Sequence, residues 1–223
     1  MKSGVVAIVP AAGRGRRLGL KTGKPFVRLA GLPLIAYTLK ALEGCNMVDA
    51  IVIATEESSV ARLKAIVRRH DISNVIDVIA GGRTRHESVA NCLGRIGGKF
   101  GIVVIHDGAR PLVDKRTIED SIRIAAKYGA CVAAVPESDT IKLADDRLFV
   151  RKTLDRSRIF RAQTPQAFRY DLIKKAYSVR ADGLTDDAAA VEACGGRVRI
   201  LRGSYRNIKI TTIEDLKLAK ALI

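Results

Sequence analysis

The sequence predicts a single α/β domain in which helices cover both faces of a mostly parallel sheet. Short β-branched runs alternate with amphipathic segments along the whole chain of 223 residues, which is the pattern of such a sheet. The first predicted strand leads directly into a glycine-rich loop, as in open α/β sheets that bind ligands at their carboxyl edge. A chain of this length can bury one substantial core. We therefore predict one domain over residues 1–223, built in three layers.

The first half of the chain alternates strand and helix without a break. Residues 5–10 have the apolar character of a buried strand. After Pro33, apolar residues recur at helical spacing as far as Leu42, and Gly44 follows where a helix would end. The same reasoning predicts strands at residues 51–54, 75–80 and 102–106, and helices at residues 58–70, 85–96 and 114–128.

The alternation changes after a strand predicted at residues 131–136. Residues 137–158 are polar and charged, and two short stretches flank the turn-like residues 144–146, which indicates a projecting β-hairpin arm. The arm has too few apolar residues for its own core, so we expect it to pack against another body such as a second subunit. Beyond the arm we predict helices at residues 170–181, 186–194 and 212–222, the last opened by the capping-box pattern of Thr212 and Asp215, and strands at residues 198–202 and 208–211.

The net charge of +16, from 39 Lys and Arg against 23 Asp and Glu, predicts an anionic partner. That partner is either nucleic acid or small phosphates. Only 4% of the residues are aromatic, and the sequence contains no RNP-like motif and no zinc-finger spacing. These features favour small phosphates. The alternative, a basic nucleic-acid-binding module, predicts salt-sensitive affinity and no turnover.

The sequence also bounds location and metal chemistry. No apolar run approaches the roughly 20 residues that span a bilayer, and the N-terminus lacks the features of a signal peptide, so we expect a cytoplasmic protein. The four cysteines form no C-x-x-C pair, and the three histidines complete no zinc spacing. We expect reduced thiols without a metal role.

The loop at residues 11–18, directly after the first strand, has the composition of a nucleotide-phosphate site. Its small residues let backbone N–H groups approach phosphates, and its arginines add positive charge. The dinucleotide fingerprint requires glycine where Leu18 stands, and the P-loop fails because Gly19 and Gly23 enclose only three residues. Hydride transfer and P-loop chemistry are therefore disfavoured.

The loop resembles the signature of nucleotidyltransferases that activate sugar and polyol phosphates. That signature is P-A-A-G-x-G-x-R-hydrophobic followed by a lysine, and residues 10–18 with Lys24 match it. The family usually has proline before this lysine, whereas here Gly23 precedes it and Pro25 follows. Further matches lie in the expected order at Gly81-Gly82 with Arg85 and Ser88, residues 106–111, Asp139-Thr140, Asp155-Arg156, residues 164–166, Thr185-Asp186 and residues 207–209.

Together these motifs resemble the 2-C-methyl-D-erythritol 4-phosphate cytidylyltransferase family, whose fold is Rossmann-like. The resemblance implies that CMP passes from CTP to methylerythritol phosphate with release of pyrophosphate, in non-mevalonate isoprenoid precursor synthesis. It implies Mg²⁺ bound largely through the CTP phosphates, and a homodimer in which the arm at residues 137–158 is exchanged. A cytidylyltransferase for another polyol phosphate, such as ribitol 5-phosphate, is the nearest rival.

The resemblance also assigns roles to individual residues. Arg17 and Lys24 would face the triphosphate as catalytic groups, while Arg156 and Lys209 would hold the phosphate of the second substrate. The nucleophile is already an anion near neutral pH, so positioning and charge neutralisation are required rather than a general base. Nucleotide contacts are implied for Ala11, Ala12, Gly13, Gly81, Gly82, Ser88, Asp107 and Gly108, and contacts with the second substrate for Asp107, Arg110, Thr140, Arg156, Thr164, Thr185 and Lys209.

Some neighbouring positions have other expected roles. Arg14 and Arg16 are expected to be solvated, and His106 to pack. Asp107 either binds substrate hydroxyls or lies near magnesium. Two positions depart from the family pattern: Arg83 stands where some relatives carry an acidic residue, and Gly108 replaces a common alanine.

Overall fold

A computed structural model of the chain, which describes residues 4–13, 15, 23–179 and 183–223, is built around a seven-stranded sheet. Its strands, with those of two small accessory sheets, are β1 (Val5–Pro10), β2 (Arg28–Leu29), β3 (Leu32–Pro33), β4 (Ala50–Thr55), β5 (Val75–Ala80), β6 (Ile102–Ile105), β7 (Ala130–Pro136), β8 (Lys142–Ala144), β9 (Val150–Thr153), β10 (Phe160–Arg169) and β11 (Arg199–Arg202). The α-helices are α1 (Leu34–Glu43), α2 (Val60–Arg69), α3 (Arg85–Ile96), α4 (Lys115–Tyr128), α5 (Tyr170–Ser178), α6 (Asp187–Ala193) and α7 (Ile213–Leu222).

The strand order of the main sheet is β11-β7-β10-β6-β1-β4-β5. β10 runs antiparallel to both of its neighbours, and the other adjacent pairs are parallel. The chain proceeds from β1 outward through β4 and β5, and then returns to the other side of β1 as β6. This reversal opens a crevice at the carboxyl ends of β1 and β6, where sheets of this kind bind their ligands.

The two faces of the sheet are covered by different helices, which confirms the predicted three layers. In β1, Ala7 and Val9 pack into an apolar cluster with α1, α2 and α4. Val6 and Ile8 point to the opposite face and pack with α3, α5 and α6. The alternation follows from the two-residue period of a strand, and it explains why β1 is apolar at every buried position.

Most predicted elements are confirmed within one or two residues. The helix predicted at residues 85–96 is α3, whose N-cap Thr84 accepts a hydrogen bond from the Glu87 amide. The capping box predicted at Thr212 and Asp215 opens α7. The hairpin at residues 140–150 forms as β8 and β9, although its second strand begins at Val150 rather than at residue 147.

One expectation about strands was wrong, and one long strand was not predicted. Residues 208–211 form no strand: the Ile210 amide donates to the Ala109 carbonyl, and its side chain enters an apolar cluster with α7, so packing rather than sheet pairing produced the apolar pattern. Conversely, β10 was not predicted. It carries buried Gln163 and Gln166, whose polarity resembles that of a loop.

The arm projects from the body as a two-stranded sheet of β8 and β9. Large apolar side chains near its tip are exposed, with Leu148 at 86% and Phe149 at 70% of their full accessibility. Across the described ranges, no helix is both long and apolar enough to cross a membrane.

Candidate active site

The carboxyl ends of β1, β5 and β6 enclose a cavity of about 220 Å³. Residues 11–13, at the start of the glycine-rich loop, form one side, and the turn that precedes α3 forms another. Lys24, the first residue of a short 3-10 helix, reaches the same space. The lining residues are Pro10, Ala11, Ala12, Gly13, Lys24, Pro25, Gly82, Arg83, Thr84, Arg85, Ser88, Asp107, Gly108, Ala109 and Lys209.

A second cavity, also of about 220 Å³, lies beside the first, toward β10 and α6. It is lined by Arg85, Asp107, Arg110, Ala162, Gln163, Thr164, Gln166, Thr185, Asp186 and Lys209. Three side chains line both cavities: Arg85, Asp107 and Lys209. We call these three residues the shared wall.

Asp107 is the centre of the shared wall. Its carboxylate lies 3.1 Å from Arg85 Nε, 2.9 Å from Lys209 Nζ and 3.5 Å from Arg110 Nε. Burial opposes its ionisation, but Arg85, Lys209 and Arg110 together hold the pKa of Asp107 well below its usual range. Asp107 is therefore an anion held among three cations, one of which, Arg85, also pairs with Asp187.

Behind the wall, a chain of hydrogen bonds fixes the backbone that carries Asp107. The Asp107 amide donates to Thr164 Oγ1, which lies 3.1 Å from His106 Nδ1. His106 Nε2 lies 3.1 Å from the Arg110 carbonyl, an acceptor, so Nε2 carries the proton and Nδ1 accepts from the threonine hydroxyl. Burial lowers the pKa of His106 to about 4. This neutral imidazole is buried and fully hydrogen-bonded, in agreement with the packing role expected for it.

Several backbone groups assigned to the nucleotide already have partners within the chain. The amide of Ala11 donates to the Ala54 carbonyl and that of Gly81 to the Thr55 carbonyl, because the sheet pairing continues past the ends of the strands. The Gly82 amide donates to Ser88 Oγ, and the Gly108 amide donates to the Pro10 carbonyl. Ala12 and Gly13 line the cavity, and among the described residues their amides make no backbone hydrogen bond.

Ser88 shapes the turn before α3. Its hydroxyl donates to the Thr84 carbonyl and accepts from the Gly82 amide, so a ribose contact through this oxygen would have to use its remaining lone pair. A side chain at Gly81 would lie 2.7 Å from Ser88 Oγ, which explains why glycine stands there. The ribose contact of Ser88 stays a prediction.

The two departures from the family pattern both lie at the first cavity. A Cβ at Gly108 would lie 2.9 Å from Ile35 Cδ1 and 3.3 Å from the Ala11 side chain, so the packing of this chain disfavours alanine there. Arg83 is exposed, and its amide donates to Glu87 Oε2 as part of the turn. Its side chain lies at the rim of the first cavity.

Not every predicted site residue joins the two cavities. Thr140 and Arg156 lie exposed on the arm and line neither cavity, and the Arg156 guanidinium bonds to the Ser138 carbonyl. Arg17, with Arg14 and Arg16, lies outside the described residues. Lys24, Arg110, Thr164, Thr185 and Lys209 do converge on the cavities as expected.

The contacts of Arg85 were not predicted from the sequence, where this residue stood only as part of a motif. The Arg85 guanidinium makes paired hydrogen bonds of 2.9 and 2.7 Å to the carboxylate of Asp187, 102 residues away along the chain. Asp187 follows the matched Thr185-Asp186 pair, where an acid at a helix start is ordinary. No local signal indicated their pairing.

Metal-binding groups and thiols contribute little here. In the parts of the chain that the structure describes, no group of three or more His, Cys, Asp or Glu side chains is placed to hold a metal ion. The four cysteines are free, and burial raises the pKa of the Cys92 and Cys131 thiols to about 12. Such thiols are inert at neutral pH.

Comparison with known proteins gives consistent matches over nearly the whole chain. The family model IspD, 2-C-methyl-D-erythritol 4-phosphate cytidylyltransferase, matches residues 5–223. A relative of that name from Pelotomaculum thermopropionicum is 45% identical over 98% of this chain and 94% of its own length. Another, from Alkaliphilus oremlandii, is 41% identical over 97% of this chain and 93% of its own. The crystal structure of 4-diphosphocytidyl-2C-methyl-D-erythritol synthase from Anaerococcus prevotii is similar with a TM-score of 0.88 at 30% identity, covering 99% and 96% of the two chains.

Proposed function

The chain belongs to the 2-C-methyl-D-erythritol 4-phosphate cytidylyltransferase family, and we propose that it joins CMP to methylerythritol phosphate across the shared wall. The observation that carries this proposal is the pair of cavities with Arg85, Asp107 and Lys209 in common. Two phosphorylated substrates bound on either side would bring their reacting phosphates to one place, beside the cationic side chains of Arg85 and Lys209.

The first cavity is suited to the nucleotide. Ala12 and Gly13 line the space where a triphosphate would lie, and Lys24 supplies a cation in the same cavity. We propose that Lys24 stabilises the charge that develops on the α-phosphoryl oxygens and on the leaving pyrophosphate. Arg17 is proposed for the same role from the family pattern. The turn that carries Gly82, Arg83 and Thr84 lines the same cavity and is proposed to contact the base and ribose.

The second cavity is suited to a polyol phosphate. Thr185 and Gln163 offer polar groups for hydroxyls, and Lys209 and Arg110 offer positive charge for the phosphate. An oxygen of this phosphate attacks the α-phosphorus, and the bond from that phosphorus to the bridging oxygen of pyrophosphate breaks. Pyrophosphate leaves with the bonding electrons. The attacking oxygen is already anionic, so the neutral, buried His106 is not needed as a base.

We propose that Mg²⁺ enters with the substrate, bound to the phosphates of CTP. The shared wall does not form a resident metal site, because its carboxylate, Asp107, is already paired with Arg85, Arg110 and Lys209. A divalent cation there would meet three positive groups. Bound to the triphosphate, it reduces the negative charge that the protein has to neutralise.

We also propose a homodimer in which the arm at residues 137–158 reaches the site of a second copy. Leu148 and Phe149 are exposed near the arm's tip, and Arg156 lies outside both cavities of its own chain. Exposed apolar groups of this size favour an interface. Exchange would bring Arg156 and Thr140 to the polyol-phosphate pocket of the partner. The arm is thus proposed as both a dimer contact and part of the site.

Pyrophosphate release tests the proposed function. CTP, UTP and ATP would each be combined with 2-C-methyl-D-erythritol 4-phosphate and with ribitol 5-phosphate, in the presence of Mg²⁺. We expect release with CTP and methylerythritol phosphate. A preference for ribitol 5-phosphate would overturn the assigned substrate, and salt-sensitive RNA or DNA binding without turnover would support the nucleic-acid-binding alternative instead. Cytoplasmic location stays a prediction.

A further inference from the structure

A chain of polar contacts runs from the shared wall into the helical layer behind it. Arg85, the first residue of α3, donates from Nε to Asp107 Oδ1 at 3.1 Å. Its two terminal nitrogens donate to the two carboxylate oxygens of Asp187. The guanidinium therefore links two carboxylates, one facing the cavities and one behind them.

The rear carboxylate is held firmly. Asp187 is fully buried at the start of α6, and its Oδ1 accepts a 2.5 Å hydrogen bond from the Tyr177 hydroxyl on α5. The Tyr177 ring stacks on His86 of α3, with centroids 4.1 Å apart and planes within 2°. The helix start is tied to β10, because Gln166 bonds to Asp186 and to the Ala188 amide.

The protonation states of Arg85 and Tyr177 are consistent with their hydrogen bonds to Asp187. Burial opposes the charge of Arg85, but Asp187 and Asp107 outweigh it and raise the pKa of the guanidinium above its usual value. Burial and the adjacent Asp187 raise the pKa of Tyr177 as well, so its hydroxyl keeps its proton and donates.

We infer that Tyr177 and Asp187 are positioning residues, which orient the Arg85 guanidinium and through it the Asp107 carboxylate between the two substrates. They line a separate cavity of about 30 Å³ behind Arg85 and are absent from the linings of the two substrate cavities. Among the side-chain contacts described, Asp187 reaches the shared wall through Arg85. The inference rests on the proposed function.

Geometry explains why such an anchor is needed. The Arg85 side chain is 29% exposed and long, so without a second attachment it would sample many orientations. Paired hydrogen bonds to Asp187 fix the plane of the guanidinium, and this plane directs Nε at Asp107. If Arg85 turned away, the Asp107 carboxylate would be left with Lys209 and Arg110 and would shift toward them. Displacements of about 1 Å at a reacting centre cost on the order of 10²-fold in rate.

The mild test is Tyr177→Phe, which keeps the ring stack and removes only the hydroxyl. We expect kcat for CTP-dependent pyrophosphate release to fall by about 10-fold, the scale of one hydrogen bond to a charged group. Asp187→Asn should lower it by about 10²-fold. The matched control is Tyr170→Phe, at the start of the same helix and beside Phe100 and Ile102 at the opposite edge of the sheet. It should leave kcat unchanged.

A double variant separates positioning from simple stabilisation. Lysine cannot make the paired contact, so Arg85→Lys already breaks the link. If Tyr177 acts through Arg85, adding Tyr177→Phe to Arg85→Lys should cause no further loss of kcat. All rates are measured below the unfolding transition of each variant. A Tyr177→Phe enzyme with normal kcat, or one whose loss of kcat is the same in both backgrounds, would overturn the inference. Failure of the wild-type protein to release pyrophosphate would instead overturn the proposed function.

Discussion

Replacing Asp107 by asparagine tests the charge balance of the shared wall. The substitution keeps the size of the side chain and removes its charge, so Arg85, Arg110 and Lys209 lose the anion that they surround. Breaking a buried ion pair costs about 3–5 kcal/mol. The Lys209 side chain is 42% exposed and that of Arg85 29%, so water recovers part of this. We expect a loss of about 2–3 kcal/mol in the free energy of unfolding.

Thermal unfolding provides the first assay. For a chain of this size, each kcal/mol shifts Tm by about 2–4 °C, so Asp107→Asn should unfold about 4–12 °C below the wild type. Adding pyrophosphate should narrow that gap, because an anion replaces the missing charge and binds the variant more tightly. At saturation, each tenfold gain in affinity returns about 1.4 kcal/mol. Sulfate at the same ionic strength controls for simple screening.

The pH dependence of the gap has a defined sign. The folded-state pKa of Asp107 lies below its unfolded value of about 3.9, so its contribution is complete above that pH and is lost as pH falls toward the folded-state pKa. The difference in Tm between wild type and Asp107→Asn should therefore be constant from about pH 8 to 5 and shrink below about pH 4. A variant as stable as the wild type, or a gap that pyrophosphate leaves unchanged, would refute the proposed charge balance.

Three further predictions concern other parts of the site. Lys24→Ala should lower kcat by about 10²- to 10³-fold with an unchanged unfolding transition. The control variant Lys40→Ala, whose side chain is exposed on α1, should have unchanged kcat. Equal activity of the two variants would remove Lys24 from the mechanism. If the arm is exchanged, refolding the Lys24→Ala and Arg156→Ala variants together should restore about a quarter of normal pyrophosphate release. Half of the dimers are then mixed, and each mixed dimer contains one complete site out of two. An inactive mixture in which mass measurement confirms mixed dimers would eliminate exchange. Burial lowers the pKa of His106 from 6.5 to about 4, so the free energy of unfolding should decrease by on the order of 3 kcal/mol as the pH falls from 6.5 to 4. In denaturant titrations at several pH values, His106→Gln should abolish that part of the pH dependence. The same pH dependence in variant and wild type would contradict a buried neutral imidazole.

The order of strands and helices and the position of the nucleotide loop were predictable because they depend on local patterns. Short β-branched runs identified β1 and β5, helical spacing identified α1, and the capping-box pattern at Thr212 marked the start of α7, as the structure confirms. Open α/β sheets bind ligands at the carboxyl edge, so the loop after β1 indicated the site without any coordinates. Lys24, predicted to face the nucleotide, lines the first cavity.

Strand β10 and the wall behind the substrates were decided only by the tertiary structure. Gln163 and Gln166 are too polar for a strand to be inferred, yet β10 lies between β6 and β7 and buries both side chains. A buried polar residue is tolerated only where it has partners, and those partners come from distant parts of the chain.

The sequence by itself thus determined the α/β class, the carboxyl-edge location of the site and most of its residue types, since each follows from periods and motifs spanning a few neighbouring residues. The tertiary structure alone decided which of these groups meet. Arg85 and Asp187 pair although they are separated by 102 residues. The Ser88 hydroxyl makes hydrogen bonds within the turn before α3. Pairing of buried charges and hydroxyls depends on three-dimensional proximity, and neither residue type nor spacing along the chain encodes it.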